Sequence, residues 1–146
     1  MNCIINLCVV CELYHLYNVS LHRYHSIEVL YGLIYVTGGQ SEKGVINLVE
    51  RYDPERDTWT LGSPMCSPRM YHGAAVVDGL LLVVGGHDGF KRLNSAELFN
   101  PLSEQWTTVA PMMTPRSVLG MATMRGTVFA VGGYDGRHHL NTVEYY

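Results

Sequence analysis

Short apolar runs alternate with Gly, Pro and Asp along most of the chain. The clearest stretch holds four such runs, which end at an Asp-Gly pair, a Gly-Gly pair, an Asn-Pro pair and a proline: residues 72–78, 80–84, 94–99 and 105–109. A helix would need about ten or more periodic residues without such breaks. The pattern therefore predicts four short β-strands, each bounded by turn-forming residues.

The second strand of each set is apolar on both of its faces. Residues 33–36, 80–84 and 127–131 consist of Leu, Ile, Val, Tyr, Phe and Ala with a single Thr. A strand that does not alternate polar with apolar residues is covered on both faces of its sheet. Four-stranded sheets with such inner strands are typical of blades packed around an axis, so we expect an all-β, propeller-like architecture.

One spacing recurs through the chain. Gly-Gly pairs lie at 38–39, 85–86 and 132–133, and each pair follows the previous one by 47 residues. The same step relates pairs and triplets of identical residues: Trp59 and Trp106; Arg69 and Arg116; Glu50, Glu97 and Glu144; Asn47, Asn94 and Asn141; Gly32, Gly79 and Gly126. Many independent positions that hold one period without a gap indicate a repeat protein.

Composition narrows the classes of function. Hydrophobic residues make up 47% and charged residues 16% of the 146 residues, which does not fit a disordered chain. The net charge of −3 argues against a nucleic-acid partner, because proteins that bind nucleic acids concentrate basic residues on one face. No apolar run reaches 18 residues, so we expect no membrane-spanning segment.

Cysteine usage favours a reducing compartment. Cys8, Cys11 and His15 offer three zinc ligands near the N-terminus, but no second pair of ligands follows at zinc-finger spacing, so we expect no metal site. Free thiols are typical of cytosolic proteins. We therefore expect a cytoplasmic chain without a cofactor.

The repeated residues resemble the Kelch repeat. The resemblance rests on the Gly-Gly pair, the Tyr or Phe that follows the repeated Glu, and the Trp of the fourth strand, and it covers roughly residues 22–146. Residues 85–89 and 93–97 are most similar to the Kelch-like family, whose members usually carry BTB and BACK domains before the propeller. The resemblance implies a β-propeller of four-stranded blades that binds proteins.

The chain is shorter than a whole Kelch propeller, which usually has five to seven blades. Six units would need about 280 residues. We therefore expect an arc of about two and a half to three blades, with units near 22–68, 69–115 and 116–146, the last one truncated. Residues 1–21 lose the period, since Glu12 stands where Trp59 and Trp106 stand one and two units later. A partial gene model or an alternative first exon explains this better than a divergent strand.

The resemblance places partner contacts in the loops of one face, those that join the fourth strand to the first and the second to the third. Function on repeat scaffolds also tends to lie in such loops. The candidate partner-binding residues in these loops are Arg69, Tyr71, His72, His87, Phe90, Lys91, Arg116, Ser117, Tyr134, Arg137 and His138. Asp88 and Asp135 are expected to shape Asp-Gly turns.

Two interpretations stay open for the prominent loop residues. Arg69 and Arg116 match an arginine that some family members use to grip acidic motifs, and a guanidinium suits that work because it binds carboxylates in a bidentate manner. The alternative is a structural arginine that bonds loop carbonyls. Phe90 and Tyr134 are either exposed anchors for a partner or pack on their own loops.

No catalytic constellation is visible, so we expect no enzyme. The pairs His22 with His25 and His138 with His139 lack a nearby glutamate, and no G-x-S-x-G elbow is present. The leading hypothesis is a protein-binding arc of the substrate-recognition propeller of a cullin-ubiquitin-ligase adaptor, whose ligand is a protein or an acidic peptide. Cullin contact is expected only through domains absent from this chain. The alternatives are an actin-binding cytoskeletal scaffold and a truncated product without independent function.

Overall fold

The computed structural model describes residues 22–146. The segment 1–21, predicted to fall outside the repeat, and the three candidate zinc ligands within it lie outside the described residues. The described residues form β-strands joined by turns and loops, with no helix among them. The predicted all-β class is confirmed.

Three antiparallel sheets follow one another along the chain, and we call them blades 1 to 3. Blade 1 contains β1 (Ser26–Leu30), β2 (Leu33–Thr37), β5 (Val49–Asp53) and β6 (Thr58–Leu61), in that order across the sheet. Blade 2 contains β7 (Gly73–Val77), β8 (Leu80–Val84), β9 (Ala96–Asn100) and β10 (Gln105–Val109). Blade 3 contains β11 (Gly120–Met124), β12 (Thr127–Val131) and β13 (Val143–Tyr145). A small hairpin of β3 (Gln40–Ser41) and β4 (Gly44–Val45) extends the loop after β2.

The first two strands of each blade form a tight hairpin. In blade 2 the hairpin turns at Asp78 and Gly79, which both have positive φ, of 49° and 74°. Two successive residues with positive φ match the right-handed twist of the flanking strands. The Asp-Gly turn predicted from the sequence is therefore confirmed, and Tyr31 and Arg125 take the same conformation at the equivalent positions.

The hydrophobic core lies between the blades. Phe99 of blade 2 is fully buried, and its ring centroid lies 5.8 Å from that of Tyr35 in blade 1. A second cluster joins Leu82 and Val84 of blade 2 to Val128 and Ala130 of blade 3. Residues Leu81 to Val84 are all buried, so the inner strand of blade 2 is covered on both faces, as its sequence predicts.

The Gly-Gly pairs occupy the points where neighbouring blades approach each other. A Cβ added to Gly85 would lie 2.4 Å from the carbonyl oxygen of Arg116 in blade 3. A Cβ on Gly86 would lie 2.7 Å from the carbonyl oxygen of Met70. Both glycines also have positive φ. No other residue fits these positions without strain, so the doublets have a structural role.

Candidate functional site

The loops from the fourth to the first strand and from the second to the third meet at one end of the blades. We call this end the loop face; it consists of residues 23–24, 38–48, 62–72, 85–95, 110–119 and 132–142. Isolated bridges join its two kinds of loop, as between Met70 and His87 and between Ser117 and Tyr134. The opposite end, the turn face, carries the turns at 31–32, 54–57, 78–79, 101–104 and 125–126. The structure therefore brings the eleven candidate residues to one end of the molecule.

Arg69 lies inside blade 2 and is fully buried. Its Nη2 donates to Oε1 of Glu97 at 2.6 Å and to the hydroxyl of Ser95 at 3.1 Å. Its Nη1 donates to the carbonyl oxygens of Gly85 and Ser95. The guanidinium therefore ties the first strand of the blade to the second and third, and its bonds are made to its own blade.

Arg116 repeats this arrangement in blade 3. It donates to Glu144, to the hydroxyl of Thr142 and to the carbonyl oxygens of Gly132 and Thr142. The side chain is 1% exposed. The geometry therefore favours the structural interpretation of both arginines, and neither guanidinium reaches the surface where a ligand would lie.

A sequence signal could have indicated these ion pairs. Each arginine precedes its glutamate by 28 residues. Blade 1 departs from this Arg–Glu pattern. It has His22 in place of the arginine and Leu48 in place of the residue whose hydroxyl accepts from the arginine in blades 2 and 3. His22 Nδ1 lies 3.5 Å from Oε2 of Glu50. Burial and the nearby His25 lower the pKa of His22, and burial raises the pKa of Glu50.

Two further candidates are buried. His72 is 5% exposed, and its Nε2 lies 2.9 Å from the hydroxyl of Thr37 in blade 1. Burial, followed by the charges of Arg69 and His25, lowers the pKa of His72 to about 3. Ser117 is 3% exposed and donates to the carbonyl oxygen of Tyr134. Both side chains hold the loop face together rather than project from it.

Tyr71 forms an aromatic pair with Tyr24 near the junction of blades 1 and 2. Its ring stacks on that of Tyr24 with a centroid separation of 4.2 Å. The peptide N–H of Tyr71 donates to the carbonyl oxygen of Tyr24, and that of Val118 donates in turn to Tyr71. All three residues have positive φ. Tyr24 was not predicted from the sequence, although it stands one repeat before Tyr71.

The Asp-Gly loops are ordered by their own carboxylates. Oδ1 of Asp135 accepts the peptide N–H groups of Arg137 and His138. These two hydrogen bonds, of which the one from His138 has the larger effect, lower the pKa of Asp135. Asp88 accepts the peptide N–H groups of Phe90 and Lys91 in the same way. The turn-shaping role predicted for both aspartates is therefore confirmed.

Phe90 projects from the loop face. It is 96% exposed, and it stands beside a depression of about 410 Å³ between the loops of blades 1 and 2. Apolar and polar residues also line this depression: Cys66, Ser67, Pro68, Asp88, Lys91, Leu93 and Ser95. Burial, followed by the charge of Glu97, raises the pKa of the Cys66 thiol. A shallow lining of mixed polarity beside an exposed aromatic ring and an ammonium group suits a peptide side chain better than a reactive substrate.

Tyr134 packs on the loop face instead of projecting from it. The guanidinium carbon of Arg92 lies 4.5 Å from the centre of the Tyr134 ring, and Arg92 Nε donates to the hydroxyl of Ser117. The ring of His139 also neighbours the Tyr134 ring, and the Tyr134 hydroxyl donates to the carbonyl oxygen of Gly136. Arg92 thus joins the loops of blades 2 and 3, a role that its sequence position did not reveal.

The remaining candidates lie on the surface of the two loops. Arg137 and His138 are exposed, and His87 is half-buried with its Nδ1 accepting the peptide N–H of Gly89. Apart from the buried ion pairs, the loop face carries five basic and three acidic side chains: Arg23, Lys43, Lys91, Arg92 and Arg137 against Glu42, Asp88 and Asp135. The turn face has the opposite excess, with four acidic and two basic side chains: Glu55, Asp57, Asp78 and Glu104 against Arg56 and Arg125. The loop face is therefore the positive end of a negative chain.

Within residues 22–146, no group of three or more His, Cys, Asp and Glu side chains is arranged to hold a metal ion. Helices long and apolar enough to cross a membrane are also absent from this part of the chain. Cys66 is exposed and forms no disulfide within the same residues.

The blades, their buried Arg–Glu pairs and the loop face define a repeat module of the β-propeller type. The family model of the Kelch motif matches residues 22–65, 68–113 and 115–146, and the chain belongs to this family. No curated protein matches the chain. Kelch repeats form protein-binding β-propeller modules, and protein–protein interaction is the general function that membership implies.

Proposed function

We propose that the loop face binds an extended acidic peptide of a protein partner, without catalysing a reaction on it. The observation that carries this proposal is Phe90, which is almost fully exposed beside a depression lined by Lys91 and Asp88. The Asp88 carboxylate already accepts the peptide N–H groups of Phe90 and Lys91. An exposed aromatic ring is a common anchor at the centre of protein interfaces. The basic excess of the loop face supports an acidic ligand.

The positions of the other basic groups extend the proposed site towards blade 3. Arg137 and His138 are exposed in the loop that follows the next Gly-Gly pair, and Arg92 lies between them and Lys91 along the face. Arg69 and Arg116 are left out of the proposed contacts because both are bonded inside their blades. A peptide that crosses from blade 1 to blade 3 would meet Phe90 first and the exposed basic groups after it.

At the level of the cell, we propose that the chain contributes substrate recognition to a cullin-based ubiquitin ligase in the cytoplasm. The exposed thiol of Cys66 suits a reducing compartment. The resemblance of residues 85–89 and 93–97 to Kelch-like adaptors supports the ligase role. Cullin contact would be made through other domains of the assembly, while the loop face would hold the substrate.

An array of synthetic extended peptides that combine Asp or Glu with one apolar residue tests the site. Phe90→Ala and Lys91→Glu should each weaken binding of the best array peptide at least about tenfold, which corresponds to about 1.4 kcal/mol. Leu102→Ala is the matched control, because Leu102 is 89% exposed on the turn face. Equal affinities for the Phe90→Ala and Leu102→Ala variants would refute the site.

Immunoprecipitation of the gene product from cells tests the ligase role separately. Recovery of a cullin, together with cullin-dependent ubiquitination of a partner that requires Phe90, supports it. Co-sedimentation of the purified chain with F-actin, without cullin, would instead identify the protein as a cytoskeletal scaffold.

A further inference from the structure

The outer face of blade 3 is exposed although the same face of blade 2 is buried. Val131 and Val143 are 45% and 52% exposed, whereas Val84 and Ala96, one repeat earlier, are fully buried. In blade 2 this face packs on β12 of blade 3. The exposed face of blade 3 is therefore the next copy of an interface that the chain already makes twice.

Blade 1 carries the surface that would cover such a face. The residues of blade 2 that pack towards blade 1 include Ala74 and Val76 of β7. Their equivalents one repeat earlier are Ile27 and Val29 of β1, which are 55% and 62% exposed. The two halves of one kind of interface thus stand at opposite ends of the three blades.

The backbone groups of the two ends also match. Gly39 N–H donates to the carbonyl oxygen of Arg69 in the next blade, and Gly86 N–H donates in the same way to that of Arg116. Gly133 N–H, the third donor of the series, bonds none of the described residues. The acceptor that stands one repeat before Arg69 is the carbonyl oxygen of His22 on blade 1. His25 Nδ1 lies 3.1 Å from this oxygen, whose second lone pair is left for a further donor.

A second backbone series leads to the same pairing. Tyr71 N–H donates to Tyr24 and Val118 N–H donates to Tyr71, at 2.9 and 2.8 Å. This series ends on blade 3 at the carbonyl oxygen of Val118 and on blade 1 at the peptide N–H of Tyr24, and no described residue bonds either group. Blade 3 therefore offers one donor and one acceptor, and blade 1 offers their complements.

We propose that blade 3 of one copy of this chain packs on blade 1 of a second copy, head to tail, through the contacts that join the blades within each chain. A second copy of the chain carries both the matching apolar surface and the matching hydrogen-bonding groups, so we take it as the partner. Two such contacts related by a two-fold axis would close a ring of six blades, and propellers typically have four to eight. Both exposed apolar surfaces would then be covered.

Light scattering coupled to size-exclusion chromatography of the full chain tests the pairing. The wild-type chain should elute with twice the chain mass. Val143→Glu and Ile27→Lys should each halve that mass, because each places a charge in the apolar contact. Leu102→Glu, on the turn face, is the control and should leave the mass unchanged. Circular dichroism melts show whether each variant is folded.

Mixing the two variants makes the test specific for head-to-tail contact. A pair of Val143→Glu with Ile27→Lys has one wild-type junction and one junction with opposite charges, so the mixture should recover the doubled mass. A wild-type monomer would overturn the proposal, as would a dimer that neither variant disrupts. A wild-type monomer that dimerises only after deletion of residues 1–21 would show that this segment covers the surface, which also overturns it.

Discussion

The imidazole Nε2 of His72 lies 2.9 Å from the hydroxyl of Thr37, and this buried contact joins blade 2 to blade 1. One repeat later the same two positions hold Leu119 and Val84, which pack in the apolar cluster between blades 2 and 3. At these two positions the first junction is polar and the second is apolar. His72 Nδ1 has no hydrogen-bond partner among the described residues, so the polar pair leaves one buried group unsatisfied.

The His72–Thr37 pair should make stability depend on pH. The folded-state pKa of His72, about 3, lies below its ordinary value of 6.5, so the unfolded chain binds the extra proton between these values. The stability that depends on neutral His72 is complete above pH 6.5 and is lost as the pH falls, by up to about 1.4 kcal/mol per pH unit. Urea unfolding between pH 7 and about pH 5 measures this slope.

The apolar pair of the second junction supplies the control for that measurement. Thr37→Val with His72→Leu should flatten the pH dependence without a loss of stability at pH 7, because it copies Val84 and Leu119. Thr37→Val alone should destabilise, since it leaves the imidazole without its partner. An unchanged slope in the double variant would show that other groups carry the pH dependence.

Arg69→Met should lower the free energy of unfolding by about 3–5 kcal/mol, because it leaves the buried Glu97 carboxylate without its cation. Arg69→Met with Glu97→Leu should recover much of the loss, since no charge then remains unpaired. Arg56→Met is the matched control, because the Arg56 side chain in the exposed pair with Asp53 is 81% exposed. Its effect should stay below about 0.5 kcal/mol. Equal destabilisation by Arg56→Met would contradict the role of burial.

The Trp106 side chain should stabilise the fold in two ways that can be measured separately. Its Nε1 donates to the carbonyl oxygen of Ser63 in blade 1 at 2.8 Å, and its ring packs against the cluster between blades 1 and 2. Trp106→Phe removes the hydrogen bond and should cost about 1 kcal/mol, while Trp106→Ala also removes the packing and should cost about 3 kcal/mol. Thermal melts compare both variants with Gln105→Ala, a change at an exposed neighbour that serves as the control. Glu104 cannot serve as the control, because it pairs with Arg51 of blade 1. Identical losses for the Phe and Ala variants would exclude a packing role.

Restoring the repeat pattern in blade 1 should stabilise the chain. His22→Arg with Leu48→Thr recreates the residues that hold Arg116 in blade 3, where the guanidinium bonds a carboxylate, a hydroxyl and two carbonyl oxygens. We expect a gain of about 1 kcal/mol, because hydrogen bonds to charged groups exceed neutral ones in strength. His22→Arg alone should gain less. A loss of stability in the double variant would mean that blade 1 does not form the same pocket.

The repeat predicts the strands closely because each is fixed by short-range turn chemistry. Leu80–Val84 and Gln105–Val109 have the predicted bounds. The third strand begins at Ala96 rather than at Asn94, because the carbonyl oxygen of Asn94 accepts the peptide N–H of Met112 after β10 instead of pairing with β8. The doublets and the Trp strand follow the same local rules.

The site was harder to predict because the roles of its residues depend on which way the side chains turn. Arg69 lies in a loop, where arginines are usually solvated, yet its side chain points inward towards Glu97. Phe90 and Tyr134 have similar loop positions, but only Tyr134 has Arg92 to cover its ring. Contacts across the blades decide both outcomes, and a pattern within one repeat does not contain them.

The fixed separation between each arginine and its glutamate also bears on biosynthesis. Arg69 is translated 28 residues before Glu97, so a nascent chain that has made β7 and β8 still lacks the carboxylate for its guanidinium. Burying that cation alone would cost several kcal/mol. The first hairpin of blade 2 should therefore stay loosely packed on the ribosome until β9 emerges. Blades 2 and 3, which contain the Arg–Glu pair, should each become protected from proteases only when the third strand has been made.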